Sequence, residues 1–464
     1  MIAGAETAAD RFAGLAGQVG AGDRVLASVT AEVELSDPAA AVFAARRAAD
    51  RWFAWEQPEA GGFALACLGS AHEAISRGTG RFTDIVAEAT RVGQGRIADE
   101  PEGVPAGVGP VWVGGFAFDP NGAGASAWSS FPPALMVLPE LSLVRSQGRT
   151  WLTVSAVVGA DDFDAAAERL AARIATLGEA SLPMLDPSPA GPAEIRSARP
   201  PGSYEEIVGK AVAEIRAGAF EKVVLAREVT VGARSAHDPA ALFGALRELF
   251  PSCFSFCVGS PEGAFLGASP ELLVRRRGAG AATVALAGST RRSADPAVDD
   301  HLGEQLLRSE KDRHEHLIVS KRISRVLRPH SVWVEAEPEP GLVKVANIQH
   351  LATPIHAQLA EPLSAVELAG LLHPTPAVGG EPRDAALAAI AGLEGMDRGW
   401  YAGPVGWMDA AEDGEFCVAL RSALLRDRTA HLYAGCGIVG DSDPAAELAE
   451  TEVKLGALLP LIAG

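Results

Sequence analysis

The sequence predicts an α+β fold built on large, mainly antiparallel twisted β-sheets. Three observations carry that expectation. Short strand-like runs recur along the whole chain, helical stretches separate them, and the two never settle into a regular βαβ alternation. At 464 residues the chain exceeds the usual size of one domain, yet large sheets around one core reach it, so a single large domain over 1–464 is expected.

Taken in order, Ala39–Phe53 and Phe163–Leu177 read as Ala-rich helices, and Val111–Asp119 reads as a strand with a glycine bend. Residues 182–203 are rich in Pro and Ser without periodicity and mark the clearest seam. Beyond it, helix Tyr204–Ala217 feeds strand Lys222–Val229, and helix Leu242–Leu249 leads into strands Phe254–Val258 and Phe265–Gly267. Glu304–Leu327 contains no Gly or Pro and reads as one long helix. Strands Phe416–Leu425 and His431–Ala434 follow. A last helix is marked by Asp443 as N-cap and Pro444 at its first position.

Hydrophobic residues make up 48% and charged residues 21%, an ordinary globular composition. The formal charge, 40 − 59 = −19, argues against nucleic-acid binding, which needs a basic footprint. An anionic substrate would therefore need cations gathered locally. The five cysteines form no CxxC pair, and Cys253 and Cys257 sit in an alternating run as small buried thiols. Residues 1–20 lack a secretory pattern and the longest apolar runs fall short of a membrane span, so a cytoplasmic location is expected.

Candidate chemistry concentrates in two helices. Asp312 with Glu315, and Glu447 with Glu450, are acidic pairs at i,i+3, which stacks both carboxylates on one helix face. Two such faces brought together would make an all-oxygen pocket for a hard divalent cation beside an anion. Solvated surface acids are the plain alternative. Lys454, at i+4 from Glu450, offers a cation for a substrate carboxylate or a simple ion pair. His314 and His316 fit neither HExxH nor HxxEH, which disfavours zinc.

Lys222 opens a strand and is either solvated edge protection or a lysine tuned by its surroundings to act as a base. Glu271 follows a proline at a turn, where desolvation would keep a carboxyl protonated as a general acid. The glycine turns at Gly288-Ser289 and Gly435-Cys436-Gly437 are plain β-turns or sites where backbone N–H groups meet a carboxylate. Arg421 interrupts an apolar strand and needs an anion.

Seven motifs occur in a familiar order: Phe220–Arg227, Gly267–Leu273, Leu286–Arg292, Ser309–His316, His350–Pro354, Leu372–Ala377 and Gly435–Val439. With them the chain resembles the chorismate-utilising enzymes (anthranilate synthase component I-like), and the isochorismate synthases among them. The resemblance is dense over 203–464, the chorismate-binding catalytic region, and weaker over the N-terminal half, 1–200. It implies a sandwich of antiparallel sheets flanked by helices, and Mg²⁺-dependent isomerisation of chorismate to isochorismate feeding menaquinone or siderophore biosynthesis. Lys222 would be the base that activates water for attack at C2, and Glu271 the acid that protonates the departing C4 hydroxyl. Glu315 and Glu450 would bind Mg²⁺, with Asp312 and Glu447 outside them. Gly288, Ser289 and Lys454 would hold the ring carboxylate. Arg421 and Gly435, with Tyr401 and His350 nearby, would hold the enolpyruvyl group.

Ammonia-adding relatives pair with a glutamine amidotransferase and lack a base at the Lys222 position. Aminodeoxychorismate-forming relatives often carry a lysine where this chain has Ala287. Both differences favour water as nucleophile and imply no amidotransferase subunit. The alternative is a salicylate synthase, whose features Tyr401 and Leu420 share, although Ala377 replaces the threonine usual there. A silent amidotransferase-docking subunit would have lost Lys222, Glu271, Glu315 or Glu450. The resemblance also points to a monomer.

Overall fold

The computed structural model describes all residues except 1, 21, 23, 60, 186–192 and 346–347, so part of the seam lies outside the described residues. Two large sheets dominate, of 13 and 10 strands. Every described pairing is antiparallel except that of Val25–Val33 with Ile97–Asp99. Sequence alternation builds the layers. In Trp52–Glu56, Phe53 and Trp55 face a core shared by both sheets, while Ala54 faces a second core beneath the helices Ala5–Ala13 and Phe163–Ile174. Leu65 and Cys67 against Ala66 and Leu68 repeat the pattern one strand over.

Both sheets are continuous across the seam. In the larger one, Phe254–Ser260 pairs with Gly263–Ser269 on one side and with Trp52–Glu56 on the other. In the smaller one, Pro404–Asp409 lies between Gly414–Val418 and Val111–Phe116. At the junction Gly259 lies opposite Trp52, and a Cβ there would sit 1.8 Å from the indole Cε2, so the indole occupies the space a side chain would need.

The elements that carry the site are strand β1 (Lys222–Gly232), strand β2 (Gly280–Arg291), helix α1 (Pro296–Arg308), helix α2 (Glu310–Leu327), strand β3 (Ser331–Ala336), strand β4 (Ile348–Leu359), strand β5 (Thr429–Ile438) and helix α3 (Pro444–Leu455). β1 pairs with β5 in the larger sheet, and β2 with β4 in the smaller.

Four expectations need correction. The helix expected over Ala39–Phe53 spans only Pro38–Ala45, because Arg46 turns extended and the aromatic run enters a strand at Trp52. The single helix expected over Glu304–Leu327 is two, α1 and α2. Ser309 adopts an extended backbone between them and its side chain accepts from Asp312 N–H as the N-cap of α2. Phe416–Leu425 is not one strand. Gly414–Val418 and Ser422–Arg426 lie in different sheets, and Arg421 between them has φ 46°. Finally, the glycines read as turns lie inside strands: Gly288 at a bulge of β2, Gly435 and Gly437 within β5.

We infer from the shared sheets that the two halves fold together. A chain of residues 203–464 alone would expose the edges of Phe254–Ser260 and Pro404–Asp409 and strip their core, so it should aggregate or show no cooperative unfolding by circular dichroism. A soluble, cooperatively folded 203–464 fragment would refute this.

Candidate active site

A cavity between the sheets and the helices α2 and α3 gathers residues from both halves of the expected site. Glu271, Gly288, Ser289, Asp312, Glu315, His350, Tyr401, Arg421, Gly435, Glu447, Glu450 and Lys454 all line it. Lys222 lies directly behind this lining. It is fully buried and does not open onto a sheet edge, with Nζ 2.8 Å from Glu315 Oε1. That approach is off the angle of a hydrogen bond, so the ammonium has the carboxylate as its counter-ion and no hydrogen-bond partner. The contact depends on Gly437, where a Cβ would lie 2.3 Å from Glu315 Oε1 and 2.8 Å from Lys222 Cε.

Three of the four helix carboxylates face a lysine each. Glu315 meets Lys222. Lys311 Nζ donates to Glu447 Oε1 at 3.1 Å, and Lys454 lies 2.8 Å from Glu450 Oε1. Ser289 Oγ also donates to Glu450, at 3.0 Å. Asp312 has the Ser309 hydroxyl instead. The acids remain short of positive charge. Burial and the neighbouring Glu315 and Glu450 raise Asp312 above the usual carboxylate range, and burial and Glu450 raise Glu447. Burial pushes Glu450 up too, but Lys454 and Ser289 outweigh it and hold it low. Lys454 mirrors this: burial lowers it, while Cys436 and Glu450 together raise it beyond the ordinary lysine range.

This all-oxygen set, two of whose members are held high by burial and by the neighbouring Glu315 and Glu450, fits a hard divalent cation. Ligand atoms of Glu447, Glu450 and Cys436 lie within 4.8 Å of one another, the one cluster that tight among the described residues. The Cys436 thiol is spent on Glu447 O, 3.4 Å away.

The far wall carries an arginine beside titratable groups that burial holds neutral. Arg421 Nη2 donates to His350 Nε2 at 3.0 Å, and its buried Nη1 has no hydrogen-bond partner. Burial, with Arg421 and Lys454 beside it, drives His350 down to about 3, so a neutral imidazole accepts from Arg421 and orients it. Lys454 Nζ also donates to Gly435 O at 2.8 Å. Burial raises Tyr401 to about 12, and its ring stacks on Tyr433 with centroids 5.2 Å apart. Glu271 is raised to about 8 by burial, with Lys222 and the Thr375 hydroxyl pulling the other way, so it carries a proton at neutral pH. His316 is no metal ligand here: it is buried, with Nε2 2.7 Å from Thr353 Oγ1, while His314 faces an outer groove.

Some contributors went unassigned in the sequence. Lys311 lies inside the Ser309–His316 motif, where the sequence gives it no role. Arg398 lines the cavity and pairs with Glu394 at i+4, a spacing that was visible. Its Nη1 and Nη2 donate to Val378 O and Val224 O, both at 2.9 Å, and Glu394 Oε1 accepts from Ala226 N at 2.7 Å. The pair thus ties β1, which carries Lys222, to the cavity wall. Tyr433 had no sequence signal. Ala287 lines the cavity with a methyl group, leaving no amine at that point.

The chorismate binding enzyme family matches residues 14–463, nearly the whole chain. The chain belongs to the chorismate binding enzymes. A Pseudomonas aeruginosa relative, a salicylate biosynthesis isochorismate synthase, is 40% identical over 447 residues, covering 95% of this chain and 91% of that protein. The isochorismate synthase MenF of Bacillus subtilis is 34% identical over 451 residues, covering 95% and 94%. The solved structure of MenF, the menaquinone-specific isochorismate synthase from Escherichia coli, aligns with a TM-score of 0.81 at 28% identity over 98% of this chain and 99% of that one. Anthranilate synthase component I from Streptococcus pneumoniae shares the fold, with a TM-score of 0.66 at 20% identity. Both sheets, and not only the motif-dense half, are therefore the framework of a chorismate binding enzyme.

In this chorismate binding enzyme the Arg398–Glu394 pair is buried on both sides. Arg398→Met should cost about 3 kcal/mol of unfolding free energy by leaving Glu394 unpaired, measured by denaturant titration. A change under about 1 kcal/mol would show that the pair does not hold β1 in place.

Proposed function

We propose that the protein is an isochorismate synthase that converts chorismate to isochorismate with Mg²⁺. The observation that carries this reading is the pairing, at one cavity, of a protonated buried acid, Glu271, with a buried lysine, Lys222, beside a carboxylate set suited to a cation. The names of relatives covering more than nine-tenths of the chain support it.

Chorismate is a dianion and must be held by local cations in a protein of charge −19. Arg421, with its free Nη1, and the backbone at Gly435 would receive the enolpyruvyl carboxylate, and Leu420 and Tyr401 would pack against its apolar part. The ring carboxylate would lie between Lys454, Gly288, Ser289 and the helix carboxylates. Glu315 and Glu450 would hold Mg²⁺, with Asp312 and Glu447 behind them; when bound, the ion would neutralise the ring carboxylate. Lys222 would act as the neutral amine, having given its own ammonium proton to solvent, and would take a proton from water as the water oxygen attacks C2. Glu271 gives its proton to the C4 oxygen, which leaves as water. The proton gained by Lys222 and lost by Glu271 balance, so the net reaction is an isomerisation. No ammonia, and so no amidotransferase subunit, is needed. Among the described residues no helix is long and apolar enough to cross a membrane. A cytoplasmic enzyme supplying menaquinone or siderophore synthesis suits this reading.

Purified protein incubated with chorismate and Mg²⁺, without ammonia, should give isochorismate by chromatography, and chelation should abolish the conversion. Salicylate and pyruvate as the main products would establish the salicylate synthase alternative instead. Lys222→Ala should lower turnover at least about a hundredfold while chorismate still binds; near-normal turnover would remove Lys222 as the base. Glu450→Gln should raise the Mg²⁺ concentration needed for half-maximal rate, and an unchanged titration would remove Glu450 from the metal site.

Glu271 acts in its protonated form, and burial raises it to about 8, so kcat/KM should fall as pH rises through about 8. Glu271→Gln should lose turnover across the range. A rate that is flat through pH 9 in the native protein would rule out Glu271 as the acid.

A further inference from the structure

A second cavity lies on the other side of Tyr433 and takes no part in the proposed reaction. Its volume is about 240 Å³, against about 100 Å³ for the catalytic cavity. Helix Pro201–Arg216, strand β1 and the segments around Trp128 and Met396 enclose it, and among the described residues Tyr433 alone lines both cavities. The lining is mostly apolar, with Pro200, Ile207 and Met396 beside the buried rings of Trp128 and Tyr433.

Three carboxylates reach this chamber, and each is already engaged. Glu394 holds Arg398 and the Ala226 N–H. Glu228 lies 2.6 Å from His431 Nδ1. Asp397 accepts from the backbone N–H groups of Ala123, Gly124, Ala125 and Gly399 at 2.7 to 2.9 Å. Of the two arginines, Arg227 is bound to Glu452 and, at 3.0 Å, to Thr451 on α3. Arg199 differs. Among the described residues it has no ion pair, and its one hydrogen bond runs from Nη2 to Gly395 O at 3.3 Å. Gly395 makes that contact possible: its φ is 56°, and a Cβ there would lie 2.1 Å from Arg199 Nη2. The chamber thus carries a held guanidinium without a counter-ion, in a chain of charge −19. Its remaining donors form the planar fork that matches a carboxylate.

We propose that this chamber is a second ligand site and that it takes a small aromatic carboxylate, with the ring against Ile207 and Met396 and the carboxylate on Arg199. The charge class follows from what is left over, since every carboxylate here is spent and a cationic ligand would find no partner. The ring follows from the apolar walls and from a volume greater than that of the catalytic cavity, which on the reading above holds a six-membered ring acid. The chamber also sits at a joint. Arg227 ties β1 to α3, Glu394 ties β1 to Arg398, and Tyr433 stacks on Tyr401. An occupant would lie against residues that hold the catalytic wall without entering it.

Calorimetric titration of the full chain with salicylate tests this. No turnover is involved, so the result stands apart from the reaction the protein catalyses. Salicylate should bind with a dissociation constant on the order of 0.1 mM. Arg199→Ala, at an exposed position, should weaken binding at least about tenfold. Ile207→Trp, which fills the chamber, should abolish it, with circular dichroism unchanged in both variants. Arg421→Met, in the catalytic cavity, should leave binding unaltered, and so should saturating chorismate in the Lys222→Ala chain. Benzylamine, similar in size and opposite in charge, should not bind. Binding lost with Arg421→Met, or displaced by chorismate, would put salicylate in the catalytic cavity and overturn the proposal. Binding indifferent to Arg199→Ala, equal affinity for benzylamine, or no binding up to about 5 mM would overturn it as well.

Discussion

Four carboxylates share one cavity, and most of the site's architecture answers their mutual repulsion. Like charges at close range in a poorly hydrated space raise one another's proton affinity. Asp312 and Glu447 are raised by burial first and by the neighbouring carboxylates in addition. The fold supplies three lysines from three different elements: Lys222 from β1, Lys311 from α2 and Lys454 from α3. Each lysine is an internal counter-ion to one of the acids, so the burial of the acids is offset from within the fold.

The two walls of the cavity divide the labour by hydration. The helix wall is ionic, made of lysine–carboxylate pairs. The sheet wall is drier and fixed: Glu271, His350 and Tyr401 are all buried enough to be held neutral. A neutral imidazole can accept from Arg421 without repelling it, which leaves the guanidinium charge unneutralised. Arg421 itself sits at φ 46°, a backbone shape costly for a side chain of its size. Such strain persists where the surrounding strands over-determine it, and here both neighbouring strands belong to different sheets.

Much of this was legible in the sequence because chemistry leaves local marks. Acidic pairs at i,i+3 on capped helices, a proline-delimited glutamate and an arginine in an apolar run were readable one element at a time. The fold class followed from strand density. What was not legible depends on contacts between distant elements. The kink at Ser309 was missed because a helix count of Gly and Pro ignores serine capping. Gly437 looked like part of a turn, since only the approach of Glu315 and Lys222 shows why a strand there must lack a side chain. The burial of Lys222 could not be read from an edge-like sequence, and Tyr433 gave no signal because stacking partners are set by tertiary register.

The junction between the halves has a consequence for making hybrids of related chains. Trp52 and Gly259 occupy neighbouring strands as bulk and vacancy, one supplied by each half. A recombinant that draws its first half from one parent and its second from another inherits the two independently. With a small residue at 52 the junction would keep a hole the size of an indole, and with any side chain at 259 beside Trp52 the two strands could not close. Compatible parents are therefore those matched at this one cross-strand position, however alike they are around the cavity.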